Sequence, residues 1–342
     1  MFEDPTNWLI AGGLVLGAIF GFITRQHRVC LVAAISNVSL IKDYRYALLF
    51  ALAILVAITG TQLLEIYGIV GINEAGYRNG TLDWLGVIVG GLLFGIGATL
   101  AGGDAARIVI LAGNGNQTGW IAVFFFAIFA SVAQFGVLES IRVYSLLNTS
   151  IELNTEDAGL ASLLSMPKWL VLVIVDALLF GFIVSKWKQH ADMKLLIAGA
   201  ILGLTVVAAW YTTGVLAVDE FAAVKAPSAI TVSGPMSRTG IMLVAGQYPA
   251  FSFSVSFVIA LFGVSFIVAL ITRQFKFTPI NGSCGKVAIG GALMGLGGTF
   301  AYGCNIGQGY SGLSTLSLES ILAVMAIVAG IHVTTRYLEN RA

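Results

Sequence analysis

Few residues in this chain could do chemistry, and those few stand where charge is costly. Asp104 and Arg107 interrupt the apolar stretch GGLLFGIGATLAGGDAARIVILAG at 90–113. Three residues apart, they share a face if the stretch is helical. A charge at bilayer depth costs about 2.5–3.5 kcal/mol or more, so an acid or base there is a functional candidate by default. The plain alternative is a neutralised pair at a helix end. The three cysteines are Cys30, Cys284 and Cys304. An odd number leaves at least one thiol free, and their spacing fits no zinc site. Cys30 follows Arg25, His27 and Arg28, and nearby positive charge favours the thiolate. The same arginines serve equally as topology determinants. Cys284, in NGSCGK, reads as an incidental loop residue, and Asp176, in VIVDALLF, as a lone acid that either pairs across helices or lines a path. His190 and His332 lie near helix ends without partner spacing, so no metal or other cofactor is expected. GNGNQTG at 113–119 lacks the lysine of a phosphate loop.

The elements that would position these residues are membrane helices. Of 342 residues, 58% are hydrophobic and 10% charged, and the mean hydropathy is +0.92. A soluble domain carries about 25% charged residues. About 20 apolar residues cross a bilayer core as a helix. Nine stretches qualify: about 8–24, 46–64, 84–101, 118–140, 168–186, 194–213, 252–273, 286–302 and 320–338. The runs lack the alternation of a membrane barrel. The expectation is one all-α polytopic membrane domain over 1–342, with about nine transmembrane helices plus re-entrant half-helices. Residues 221–247 are too polar and proline-broken to span, and are expected as surface or re-entrant structure on the outer face. MFEDPTNW is acidic with no basic leader region, so the first helix is expected to act as its own insertion signal.

Basic and acidic connections alternate. Arg25, Arg28, Lys42 and Arg45 follow the first helix, Lys186, Lys188 and Lys194 the fifth, and Arg273, Lys276 and Lys286 the seventh. The intervening loops carry Glu65, Glu74 and Asp83, or Glu139, Glu152, Glu156 and Asp157. Lys/Arg bias marks the cytoplasmic side, which puts the N-terminus outside and the C-terminus inside. A net charge of +1 gives no reason to invoke nucleic acid.

The surroundings of Asp104 recur. GGLLFGIGATLAGGDA (90–105) aligns without gaps to GGALMGLGGTFAYGCN (290–305), with eight of sixteen positions identical and Asp104 facing Cys304. Most of the glycines suit close helix packing. The rest of the pattern suggests something more: a glycine pair or Tyr-Gly, one polar or thiol residue, then a half-length apolar piece. That pattern reads as a helix that breaks and re-enters. Irregular backbone at membrane depth must line a cavity or be buried in protein, and paired interrupted segments point to a transporter site. The copies fall on the third and eighth crossings, an odd separation, so the repeat is expected to be inverted, with halves at 9–140 and 168–338. The breaks at Gly102–Gly103 and Gly303 would expose backbone N–H donors suited to an anion.

These residues also carry a resemblance. GFITRQHRVCLVAAISN (21–37), GGLLFGIGATLAGGDAARIVILAGNG (90–115), AGAILGLTVVAAWYTTGVL (198–216) and GGALMGLGGTFAYGCNIGQGYSG (290–312) resemble the YeeE/YedE sulfur-transport family of bacterial inner-membrane proteins. The resemblance implies a permease for a small sulfur-containing anion such as thiosulfate, handed along a path of three cysteines. By motif the first falls on Cys30 and the last on Cys304, within the Gly-Cys-Asn run that includes Gly303 and Asn305. The middle position holds Asp104. A thiol can donate to an anion, whereas an ionised carboxylate cannot. Three options stand: a protonated Asp104, an Asp104 offset by Arg107 as anion attractor, or another sulfur or selenium compound as cargo. The family also suggests a cytosolic sulfurtransferase as partner, beside membrane lipid. Two other classes remain: a membrane sulfur-transfer protein working through Cys30 and Cys304, and an accessory subunit. The expectation is a transporter rather than an enzyme.

Overall fold

The computed structural model describes residues 5–217, 226–245, 252–280 and 283–341. Its long elements are α1 (Pro5–His27), α2 (Leu31–Ile41), α3 (Arg45–Ile66), α4 (Trp84–Ala101), α5 (Ala105–Gly113), α6 (Gln117–Phe135) and α7 (Glu139–Thr149). A four-residue α8 (Leu160–Leu163) precedes α9 (Lys168–His190), α10 (Met193–Tyr211), α11 (Ser233–Ala245), α12 (Phe253–Ile271), α13 (Cys284–Phe300) and α14 (Leu318–Glu339). Two π-helical turns, Thr212–Leu216 and Gly307–Gly312, follow α10 and precede α14. The chain is an all-α polytopic membrane protein. Among the described residues eight helical segments are long and apolar enough to cross a membrane, two of them being the broken pairs Thr6–Ile41 and Trp84–Gly113. Each of the nine expected stretches is largely helical. The eighth, α13, has 17 residues and a length of about 26 Å, at the short end for a span.

In lipid, helices gain nothing from hiding apolar surface from one another, so close packing must hold them. Here glycines do this. Helices α4 and α13 cross antiparallel at the centre. A methyl group on Gly97 would stand 2.6 Å from the carbonyl oxygen of Gly290, and one on Gly290 would stand 2.7 Å from that of Gly97. The other face of α4 packs on α14, with Gly91 against Ala323 and Ala326. The other face of α13 packs on α6, with Gly295 against Phe126 and Ala130. Outside this core, α1 lies along α12 and α3 along α10.

The two ends differ in charge. At one end the basic connections meet. Arg25 donates to Asn114 and to Gln274, each at 3.1 Å. Arg45 pairs with Asp43 at 2.8 Å, and Arg336 donates to the carbonyl of Ser39 at 2.6 Å. At the other end, the segment after α3 pairs with the segment before α8 as a two-stranded antiparallel ribbon, β1 (Asn79–Leu82) with β2 (Ile151–Asp157). Its anchor is Arg78, only 2% exposed. Arg78 pairs with Glu65 at 2.9 Å and with Asp157, and also donates to the carbonyl of Thr315 at 3.3 Å. Lys168 completes the cluster, 2.6 Å from Glu65. Burial pushes the Asp157 carboxyl up, but its bonds to Arg78 and the charge of that residue outweigh burial and hold it below the ordinary carboxylate range. This ribbon was not foreseen from the sequence.

One local reading is corrected and another is given its detail. Cys284 is the exposed first residue of α13 rather than a loop residue; its turn reads as loop because the apolar run begins only at Val287. In the polar stretch 221–247, residues 233–245 form α11, packed on α6 with Gly240 against Ala127. Residues 221–225 and 246–247 lie outside the described residues.

Candidate functional site

Three helix breaks share one backbone device. Arg28, Gly102 and Tyr302 adopt left-handed φ of 53°, 81° and 53°. Two residues after each stands a residue singled out by its chemistry: Cys30, Asp104 and Cys304. Glycine takes this conformation freely; Arg28 and Tyr302 do so as side-chain-bearing residues. The turn closes the preceding helix with a backward bond, from Val29 N–H to Thr24 at 3.0 Å and from Gly103 N–H to Ala98 at 3.0 Å, the usual helix-ending motif. The next residue is extended and caps a new helix: Cys30 for α2, Asp104 for α5. At the third break the carbonyl of Cys304 accepts from Gln308 N–H at 2.8 Å and opens the π-helical turn.

The breaks converge. The Asp104 carboxylate accepts from the backbone N–H of Leu31, at the start of α2, at 2.6 Å. Its other oxygen accepts from the N–H of Arg107, in the first turn of α5, at 3.0 Å. The thiol of Cys30 lies within hydrogen-bonding reach of the same carboxylate. Asn305, next to Cys304, accepts from the N–H of Ala105 at 3.4 Å. One hydrogen bond therefore joins the two repeat copies beside Asp104 and Cys304. All four residues are buried; Asp104 is 2% and Cys304 0% exposed. Tyr310 adjoins the group, its ring stacked on Phe50 and edge-on to Phe20, and its buried hydroxyl has no hydrogen-bond partner.

The arrangement brings donors suited to an anion to one buried locus. Helix N-termini present unpaired N–H groups and the positive end of the helix dipole. Two of them meet here, and thiol donors flank them. The group now held is the protein's own carboxylate. Not every expected donor takes part. The N–H groups of Gly102 and Gly103 bond to Thr99 and Ala98 of α4, because the left-handed turn folds them back onto the helix they terminate. The donors that face the site come one to four residues later. Arg107 contributes its backbone N–H to Asp104, while its side-chain stem packs over Gly103. Gly303 lies over the side chain of Gln308. Asp176 sits on α9 and accepts from Thr59 at 2.8 Å, a pairing across helices away from the breaks. Among the described residues no group of His, Cys, Asp and Glu could hold a metal.

Other polar residues at the site were not foreseen. Gln308 donates to the carbonyl of Ala301 at 2.7 Å and to Glu319 at 3.3 Å, and accepts from Ser320 at 2.5 Å, all buried. Tyr77, beside the Arg78 anchor, reaches towards Gly307 and meets Trp210 edge-on. A cavity of about 350 Å³ adjoins the third break, lined by Gln134, Arg142, Ser233, Ser237, Thr299 and Tyr302. The buried Nε of Arg142 has no partner. The sequence signal was the density of hydroxyl and amide groups in IGQGYSGLSTLSLES, unusual for an apolar half-helix.

The fold and site thus define a class: a multi-pass membrane protein whose interrupted helices meet at a buried carboxylate. The chain belongs to the Sulphur transport family, whose profile matches residues 26–333. It is 25% identical over 347 aligned positions to the thiosulfate transporter TsuA of Escherichia coli K12, covering 94% of this chain and 93% of that protein. It is 26% identical to the thiosulfate transporter TsuA of Spirochaeta thermophila, covering 94% of this chain and 97% of the relative.

Proposed function

We propose that this protein is a permease carrying thiosulfate, or a closely similar sulfur anion, across the bacterial inner membrane. The observation that carries the reading is the meeting of Cys30, Asp104 and the Cys304–Asn305 pair at one buried locus. The two relatives, both named for thiosulfate transport, supply the substrate class. The path begins in the cavity beside Arg142, passes Tyr302 to Cys304, then Asp104 and Cys30, and leaves at the basic end near Arg25 and Asn114. The basic end is cytoplasmic, with the N-terminus outside and the C-terminus inside. It is also where a soluble sulfurtransferase would receive the cargo. The exposed apolar side chains of α9, including Val173, Leu178 and Phe180, face lipid.

The inverted repeat belongs to the same reading. Gly13 and Gly17 of α1 lie against Ser256 and Ala260 of α12. Gly199 and Gly203 of α10 answer them against Leu49 and Val56 of α3. Within the halves 9–140 and 168–338, such reciprocal contacts relate α1–α6 to α10–α14 and leave α9 as an added helix.

Radiolabelled thiosulfate uptake in a strain lacking its own sulfate and thiosulfate importers tests the reading. Uptake is expected to appear with the protein. No uptake, with the protein present in the membrane, would sink it. A second reading, another sulfur or selenium compound as cargo, is favoured by one residue: Asp104 stands where the resemblance expects a thiol. Competition by selenium and organosulfur compounds separates the two.

A further inference from the structure

The backbone donors at the first and second breaks are already occupied by the protein's own carboxylate. Asp104 takes the N–H of Leu31 and the N–H of Arg107, the first-turn donors of two helices. An incoming anion needs those donors, and in a dry site it cannot share them with an ionised carboxylate a few ångströms away. The groups facing Asp104 are few. Cys30 comes from the first break, Arg107 from α5 and Tyr310 from the π-helical turn. Helices α6 and α12, packed on α5, carry no ionisable residue. The charge of Arg107 acts on Asp104 from α5, but no salt bridge to Asp104 is formed among the described residues, so the carboxylate is not ion-paired when an anion arrives. A second observation points the same way. The hydroxyl of Tyr310 is buried, has no hydrogen-bond partner among the described residues, and lies within the field of Asp104. It can serve a carboxylic acid that has released its two N–H donors.

We propose that the protein moves its anion together with protons, and that Asp104 carries the proton. The inference rests on the permease reading above. With Asp104 ionised, the carboxylate holds the two N–H groups and the site is closed to anions. With Asp104 protonated, its charge is gone, the donors are released, and the anion takes them. Anion binding and proton binding therefore favour each other, and by linkage each raises the affinity for the other by the same factor. One proton accompanies each anion, and nothing is oxidised or reduced. The coupling also suits the direction of transport, because a co-transported proton offsets one negative charge moving into a negative interior.

The test uses the full chain in proteoliposomes with the membrane potential clamped at zero. Steady-state accumulation of radiolabelled thiosulfate is expected to rise about tenfold when the outside is one pH unit more acid. A trapped pH dye should report one proton entering per anion. Asp104→Asn is expected to leave whatever thiosulfate uptake remains without response to the gradient and without a dye signal. Asp104→Ser, which keeps a capping oxygen for the N–H of Arg107, replaces it if the asparagine variant does not insert. Robust wild-type uptake without proton entry overturns the coupling alone. Proton entry that persists in the variants overturns the assignment to Asp104. Absence of wild-type uptake overturns the permease reading and the coupling with it.

Discussion

The break after α4 and the break after α13 are built on the same sixteen-residue pattern, yet they solve the polar problem of a broken membrane helix differently. After α4 the chain turns at Gly102, and a carboxylate caps a nine-residue α-helix. After α13 it turns at Tyr302, a thiol stands in the carboxylate's place, and a π-helical turn follows. The first break satisfies its helix start with the charge of Asp104. The second uses neutral groups: Gln308 fills the space beneath Gly303, and Glu319 lies one hydrogen bond further away. The backbone sets where a polar residue can be held. The side chain then decides whether the position binds protons or only donates a hydrogen bond.

Several changes would break or sharpen this comparison. The largest effect is expected where both breaks hang from one support. Gly97→Leu or Gly290→Leu drives a side chain into backbone on the facing helix. Overpacking costs about 1–3 kcal/mol even where neighbours can shift, and backbone at the α4–α13 crossing shifts least. Detergent-solubilised protein should lose its single size-exclusion peak, while Gly181→Leu, with open space around it, should keep it. A normal peak for Gly97→Leu would count against α4 and α13 as the shared support.

Arg78→Ala comes next. It leaves Glu65 to Lys168 alone and takes the cation from Asp157; removing one partner of a buried pair costs about 3–5 kcal/mol, a loss readable as a lower unfolding temperature. Asp157 adds a pH signature. Its folded-state pKa is depressed by Arg78, against the push of burial, so its contribution is present above about pH 4 and is lost as pH falls below that. The wild type should lose thermal stability on acidification through this range, and Asp157→Asn should flatten the response. Equal slopes for the two proteins would argue against the pair as the source.

At the sites themselves, Cys304→Ala should cut uptake at least about tenfold, the cost of one lost charge-assisted donor. Cys284→Ala, at an exposed position, should leave uptake unchanged. A maleimide should label Cys284 and spare Cys30 and Cys304; labelling of all three at equal rates would contradict the buried path. Asp104→Cys makes the two breaks alike. Loss of the cap costs about 1 kcal/mol, and uptake should persist without pH response. Arg142→Gln should raise KM by about tenfold or less and leave kcat unchanged. Thr59→Val, which removes the partner of Asp176, should have the smallest effect: a stability loss of about 1 kcal/mol with uptake intact.

Much of this was legible in the sequence because membrane helices announce themselves as continuous apolar runs. The break at Gly102–Gly103 was legible because glycine marks a left-handed turn. The break before Cys30 was not recognisable as the same device, since Arg28 makes its turn without a glycine. Cys30 drew attention through its basic neighbours, although the structure sets it beside an acid. Tyr310, Gln308 and Glu319 were missed because polarity alone does not say which face of a short irregular segment points inward. The ribbon of Asn79–Leu82 with Ile151–Asp157 was invisible because its strands are far apart in sequence and too short and polar to show alternation.

The Arg78 cluster also makes the two ends of the bundle unlike. The glycine contacts of α1 with α12 recur between α10 and α3, but the charges at the two ends do not. One end is bolted by Arg78 to Glu65, Asp157 and the carbonyl of Thr315, at the entry to α14. The other end carries Arg25, Arg45 and Arg336 in more exposed bonds. The difference lies in side chains at the rims, so changing a few charges there should alter the electrostatics of one end without altering the fold.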